Sequence, residues 1–203
     1  MIPIPESDIY HSIASEGEGF YKEKGSKFIS HAYPATNQTE IKDHLEGLRK
    51  QYYDARHHCY AWRLGPKGEQ VRANDDGEPN HSAGDPILGQ IRSAGLTDAL
   101  VVVIRYFGGT KLGVSGLIHA YRTAAHEALQ KAEIEQRIMR STVRLQYPYD
   151  KTQEVMRLMD EYPLKVETQQ FEADCKVTLG VPNSLLSRFE EEVSKLPQVI
   201  LSV

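Results

Sequence analysis

Residues 101–125 read VVVIRYFGGTKLGVSGLIHAYRTAA, and the two ends of this stretch follow different periods. Val101, Val102, Val103 and Ile104 form an apolar, β-branched run too short for a helix, which reads as a buried strand. From Val114 onward the apolar positions Leu117, Ile118, Tyr121, Ala124, Ala125, Ala128 and Leu129 recur at helical spacing. Between the two lie Arg105-Tyr106-Phe107 and a loop holding Gly108, Gly109, Lys111, Gly113 and Gly116. A strand, a glycine-rich turn with one lysine and a helix N-terminus together make a candidate anion site. Main-chain N–H groups and the helix dipole both favour negative charge there.

On the N-terminal side the pattern divides readily. A short strand is expected around Ile9 to Ile13 in the polar opening segment, and Phe28 to Tyr33 alternates as a strand. Thr36-Asn37 offers an N-cap for a helix carrying Ile41, Leu45 and Leu48 to about Tyr52. The segment ARHHCYAWRL (55–64) alternates His57, Cys59, Ala61 and Arg63 on one face with His58, Tyr60, Trp62 and Leu64 on the other. A turn at Gly65 to Gly68 brings back a hairpin partner, Glu69 to Ala73, before the polar loop Asn74 to Pro79. Pro86 suits the first turn of a helix bearing Ile87, Leu88 and Ile91, which Gly95 stops. The helix after the glycine loop is expected to run to about Gln136, so the first part reads β-α-β-β-α-β-α.

From Met139 the pattern restarts as β-α-β-β-α-β, the order of the ferredoxin-like split βαβ unit. Its strands are Ser141 to Tyr147, Leu164 to Phe171, Ala173 to Val181 and Val199 to Val203. The expected organisation is a two-domain α+β chain, residues 1–136 and 137–203.

Composition is that of a globular chain with a net charge of −4, and two domains of this size can each build a core. Residues 1–136 hold 15 Lys and Arg against 18 Asp and Glu, and residues 137–203 hold 9 against 10. Neither half is a basic module, which counts against strong non-specific nucleic-acid binding. Two distant cysteines, Cys59 and Cys175, and an N-terminus without a basic-then-apolar signal lead to a cytoplasmic expectation.

Three constellations could carry chemistry. The glycine loop lacks the G-x-x-x-x-G-K-[ST] and G-x-G-x-x-G spacings, so nucleotide hydrolysis is poorly supported. What remains is a main-chain anion site helped by Arg105, Lys111 and Arg122, against the simpler reading of a sharp turn. His57, His58, Cys59, Asp75, Asp76, Glu78 and His81 are metal-ligand types, but no C-x-x-C or H-x-x-x-H pair exists and His57 and His58 face opposite ways. No metal and no cofactor is therefore assigned. Ser115 lies outside a G-x-S-x-G elbow, and Cys59 sits mid-strand where a buried thiol is the commoner state.

In order along the chain, ARHHCYAW, NDDGEP, SAGDPIL and VVVIRYFGGTKLGVSGLIHAY closely resemble the YigZ/IMPACT family over roughly residues 18–130. The resemblance implies an N-terminal ribosomal-protein-like domain with a left-handed βαβ unit, then a ferredoxin-like domain similar to domain V of elongation factor G. It further implies RNA, the ribosome or a translation-related protein as partner, and a role in regulating translation. Eukaryotic members bind a ribosome-associated activator and restrain a starvation-responsive kinase. The family supplies no catalytic residues. Its shared surface positions correspond to His57, His58, Asp75, Asp76, Glu78, Arg105, Tyr106, Gly108, Gly109, Lys111, Gly113 and Tyr121. Asn80-His81-Ser82 and Ser115 depart from its usual small residues, so the loop rims tolerate change. Three functions stay open: a non-enzymatic RNA or ribosome binder, an enzyme using the His/Asp/Glu cluster, and a protein-docking module.

Overall fold

A computed structural model describes residues 1–203. The chain forms an α+β fold of two compact units, residues 10–136 and residues 1–9 together with 137–203. The strands of the first part are β1 (Ile9–Ser15), β2 (Gly17–Glu23), β3 (Ser26–Pro34), β4 (His57–Leu64), β5 (Gln70–Asn74), β6 (Ala99–Tyr106) and β7 (Glu133–Ile138). Its helices are α1 (Gln38–Gln51), α2 (Gly84–Ser93) and α3 (Gly113–Lys131).

The strand expected from the valine run is β6, and it lies at the centre of a five-stranded sheet ordered β2-β3-β6-β4-β5. All neighbours in this sheet pair antiparallel. A strand buried on both faces has no polar side to alternate with, which is why Ala99 to Ile104 are apolar throughout. Val101 and Val103 pack with α2 and α3 on one face; Leu100, Val102 and Ile104 pack with Ile41, Leu45 and Leu48 of α1 on the other.

That division fixes the handedness of the unit. Strands β3 and β4 are parallel to each other with β6 between them, and they are joined through α1. Strands β5 and β6 are likewise parallel with β4 between them, joined through α2 in the reverse direction across the sheet. The second crossing reverses strand direction, displacement and helix face, so the two crossovers have opposite hand. One is left-handed, although such crossovers are right-handed in about 98% of cases.

Two segments depart from expectation. Residues 17–23 form β2, although no strand was expected there, because its inward positions are glycines instead of apolar residues. A Cβ on Gly17 would stand 2.2 Å from the Ala128 carbonyl oxygen, and one on Gly19 2.6 Å from the Ala128 nitrogen. Helix α3 thus lies directly on the strand's backbone. The helix expected to reach Gln136 ends at Lys131, and residues 133–138 pair with β1 as a two-stranded ribbon. Glu133 to Ile138 contain good helix formers, and strand pairing overrides that weak preference.

Helix α1 begins as its sequence indicates: Asn37 Oδ1 accepts the Thr39 and Glu40 N–H groups, each at 3.0 Å. The Glu40 side chain reaches back to the Thr36 N–H at 2.7 Å.

The second unit contains β8 (Arg140–Pro148), α4 (Thr152–Glu161), β9 (Lys165–Gln170), β10 (Asp174–Pro182), α5 (Leu186–Ser194) and β11 (Ile200–Ser202). Its sheet order, β11-β8-β10-β9, is fully antiparallel and is the arrangement of the ferredoxin-like fold. Val143, Leu145, Tyr147, Val177 and Leu179 pack under Val155, Leu158, Phe189 and Val193 of the two helices. Residues 1–9 join this unit through Asp8, a buried carboxylate that accepts the Ser184 hydroxyl at 2.6 Å and the Ser184 N–H at 3.0 Å. No helix is long and apolar enough to cross a membrane.

Candidate functional site

The site begins from a row of residues across three strands on the α2/α3 face of the five-stranded sheet. Phe28 of β3 and His57 of β4 both stand opposite Arg105 of β6. Arg105 is only 5% exposed. A buried guanidinium needs a compensating partner, and the loop after β5 supplies Glu78. Arg105 Nη1 donates to Glu78 Oε1 at 2.6 Å, and the Tyr121 hydroxyl from α3 donates to the same oxygen at 2.8 Å. His57 Nε2 lies 4.0 Å from that oxygen, beyond hydrogen-bond reach. The other end of Arg105 donates to Ser26 Oγ at 3.3 Å, and the guanidinium lies over the Phe28 and Phe107 rings at 5.5 and 5.6 Å. Tyr121 closes the base of this group, edge-on to Phe28 with centroids 5.1 Å apart.

Cys59 adjoins the network, its Sγ 3.0 Å from the Asp75 carbonyl and 3.3 Å from the Tyr121 hydroxyl. Burial pushes the Cys59 thiol up from its ordinary range and does the same to the Tyr121 hydroxyl. Both are protonated at neutral pH, so neither is a ready nucleophile.

The loop residues hold the frame. Asp75 Oδ1 accepts the Ala83 and Gly84 N–H groups at 2.9 and 2.8 Å, and its Oδ2 accepts the His81 N–H at 2.8 Å. Asp75 therefore starts α2, doing for it what no side chain of Ala83 could. The Asp76 carboxylate accepts the His58 N–H at 2.7 Å, while the Asp76 carbonyl lies 2.8 Å from His57 Nδ1. A carbonyl can only accept, so His57 carries its proton on Nδ1 and turns Nε2 toward Glu78. No group of three or more His, Cys, Asp or Glu side chains is arranged to hold a metal ion.

Glu78, Arg105, Lys111 and Gly113 line one cleft of about 340 Å³, together with Pro79, Phe107, Leu112, Val114 and Leu117. His57 and Tyr121 adjoin it through Glu78. Asp75 and Asp76 support it from behind. His58 and Tyr106 are elsewhere, on the α1 face: His58 stands opposite Ile104, and the Tyr106 hydroxyl donates to Asp54 at 2.7 Å. That bond pushes the Tyr106 hydroxyl up to about 12.

The anion-site expectation needs correction in two places. Arg105 is buried and neutralised by Glu78, so it is not a free cation for a ligand. The Gly108 N–H is engaged by Ser26 Oγ at 3.2 Å. Helix α3, however, starts with no side-chain cap and no acidic residue in its first turn, next to exposed Lys111. Ser26, which meets Arg105, and the cleft residues Pro79 and Leu117 are not among the site residues that the sequence indicates. Nothing local marks them, because they reach the cleft through strand pairing and helix packing.

Comparison with known proteins gives consistent matches. The family described as the Impact N-terminal domain matches residues 24–129. An IMPACT family member in the pol 5′ region of Thermus thermophilus is 36% identical over 157 residues, covering 77% of this chain and 84% of that protein. The IMPACT family member YigZ of Escherichia coli (strain K12) is 29% identical over 173 residues, 84% and 85% of the two chains. The crystal structure of a hypothetical protein matches with a TM-score of 0.71 at 27% identity, across 96% of each chain.

Proposed function

This chain belongs to the IMPACT family, and we propose that it is a non-enzymatic binding protein that contacts RNA on the translation apparatus and so regulates translation. One observation carries the reading: the charged groups of the cleft floor hold one another, Arg105 Nε alone lacking a partner, while the rim is open. Arg105, Glu78 and Tyr121 use one another, whereas Phe107 is 51% and Val114 53% exposed beside Lys111 and the uncapped start of α3. An exposed ring suits a stacked base; a lysine and helix N–H groups suit the adjoining phosphate.

Catalysis is less well supported by the same residues. A general base must reach its proton, yet Glu78 already accepts two hydrogen bonds on one oxygen, and the His57 Nε2 faces that carboxylate at 4.0 Å. The net charge of −4 limits the attraction to this local rim.

The test is co-sedimentation of the protein with ribosomes and with RNA, with and without nuclease. Lys111→Glu together with Phe107→Ala is expected to abolish sedimentation while leaving the circular dichroism spectrum unchanged, since both residues are exposed. Binding should also weaken steeply with salt. Sedimentation that survives the double substitution sinks the proposal, and recovery of a protein partner after nuclease treatment would favour docking of a protein instead.

A further inference from the structure

The other face of the same sheet carries a groove that the proposed function does not use. One stripe of α1, Gln38, Ile41, Lys42, Leu45, Glu46 and Arg49, forms its first wall. Tyr60 and Trp62 of β4 form the floor, and Arg72, directly opposite Trp62 in the β4–β5 pair, forms the far wall. The groove measures about 310 Å³.

Its polar groups are almost all donors. Tyr60 and Trp62 are each only 7% exposed, and the Tyr60 hydroxyl and Trp62 indole N–H, which have no hydrogen-bond partner in the protein, are not sealed from solvent. Arg49 and Arg72 have no ion-pair partner either. The single carboxylate on the walls, Glu46, lies 3.7 Å from Lys42 and is committed to it. In a chain with more acidic than basic residues, two unpaired arginines flanking two aromatic donors that are open to solvent is an unusual concentration.

We propose that this groove binds a small phosphate ester, the phosphate taken by Arg49 and Arg72 and the organic body lying against Trp62, Tyr60 and Leu45. Guanidinium forks match phosphate oxygens with paired, charge-assisted hydrogen bonds. The hydroxyl and indole N–H donors at the floor then meet acceptor atoms of the ligand. The volume sits at the lower end of the range for small-molecule sites, about 300–1,000 Å³.

Trp62 is the only tryptophan, so its fluorescence reports on this groove alone. The experiment titrates the full chain with adenosine monophosphate, with adenosine and with inorganic phosphate. The expected result is a saturable change with the monophosphate and none with adenosine. Arg49→Gln with Arg72→Gln should weaken it by about tenfold or more, given the worth of hydrogen bonds to charged groups. Lys111→Glu, on the opposite face, should leave it unchanged, which separates this site from the proposed RNA contact. An equal response to adenosine overturns the proposal, as does a monophosphate response that the arginine substitutions leave intact. A response to inorganic phosphate without one to the monophosphate marks an adventitious ion only and also overturns it, as does the absence of any saturable response.

Discussion

The two faces of the five-stranded sheet treat their polar groups in opposite ways. On the α2/α3 face, Arg105, Glu78, Tyr121 and Cys59 form a connected chain of contacts about a single carboxylate oxygen, with only Arg105 Nε unpartnered. On the α1 face, Arg49, Arg72, Tyr60 and Trp62 lie together with no such connection. Strand β4 serves both sets one residue out of phase, since alternation sends Cys59 one way and Tyr60 and Trp62 the other. A charge that is buried and answered within the protein belongs to the architecture. Donors left unanswered at an open groove are free to take a partner from outside. Residues of the first face thus hold the cleft together, and a loss of binding on their substitution would not by itself identify a contact.

Stability measurements test this contrast most sharply. Glu78→Ala strands Arg105 in a site that is almost sealed, and removing one partner of a buried pair costs about 3–5 kcal/mol. The urea midpoint should fall accordingly. Replacing both partners, Glu78→Leu with Arg105→Met, should recover most of the loss, because similarly sized apolar pairs often substitute for buried ions at little cost. On the other face, Arg49→Ala with Arg72→Ala should change stability by no more than about 0.5 kcal/mol per residue, the usual effect at exposed positions. A small loss for Glu78→Ala, or a large one for the two arginines, would erase the distinction.

The glycine loop gives an intermediate effect. A Cβ at Gly108 would stand 1.9 Å from the Gly25 carbonyl carbon and 2.1 Å from the Ser26 nitrogen, both main-chain atoms that cannot swing aside. Gly108→Ala should therefore cost about 1–3 kcal/mol by overpacking and loosen the Ser26 contact to Arg105. Gly109 has φ +87° and open space around its Cα, so Gly109→Ala meets only the left-handed backbone penalty, about 1–2 kcal/mol. Equal losses of binding from both substitutions, with unequal losses of stability, would place the loop itself at the contact.

Much of this was legible in the residues, and the parts that were not share a physical reason. Strand β6, helices α1 and α2 and the whole β-α-β-β-α-β order of the second unit follow from apolar period and from Gly, Pro and Asn at their ends. The separation of His57 from His58 follows from strand alternation alone. Strand β2 escaped because glycine, selected by the close approach of α3, replaces the apolar signal. Strand β7 escaped because its charged residues read equally well as the end of a helix. The internal partners of Asp75 and Arg105 were not legible for a different reason: residue type reveals that a charge is present, but only the fold reveals what answers it. Asp75 is answered by the start of α2 and Arg105 by Glu78.

The smallest expected effect lies on the α1 face and concerns pH. Burial lowers the pKa of His58 below its usual value of 6.5 and outweighs the pull of Asp76; burial likewise lowers that of His31, against Glu18 and Glu16. Below about pH 6.5 the unfolded chain binds protons at these positions that the folded chain does not. Stability must then fall as pH drops through that value, and above it the two groups contribute no slope. The urea midpoint should decline between about pH 7.5 and 5.5, and His58→Gln should flatten part of that decline. The His58 Nε2 atom is buried and has no hydrogen-bond partner, so a neutral ring loses little by being held there, whereas a charged ring would leave a new N–H unanswered. A pH slope identical in the wild type and in His58→Gln would show that the α1 face stores no such penalty, and that its openness is confined to the groove at Tyr60 and Trp62.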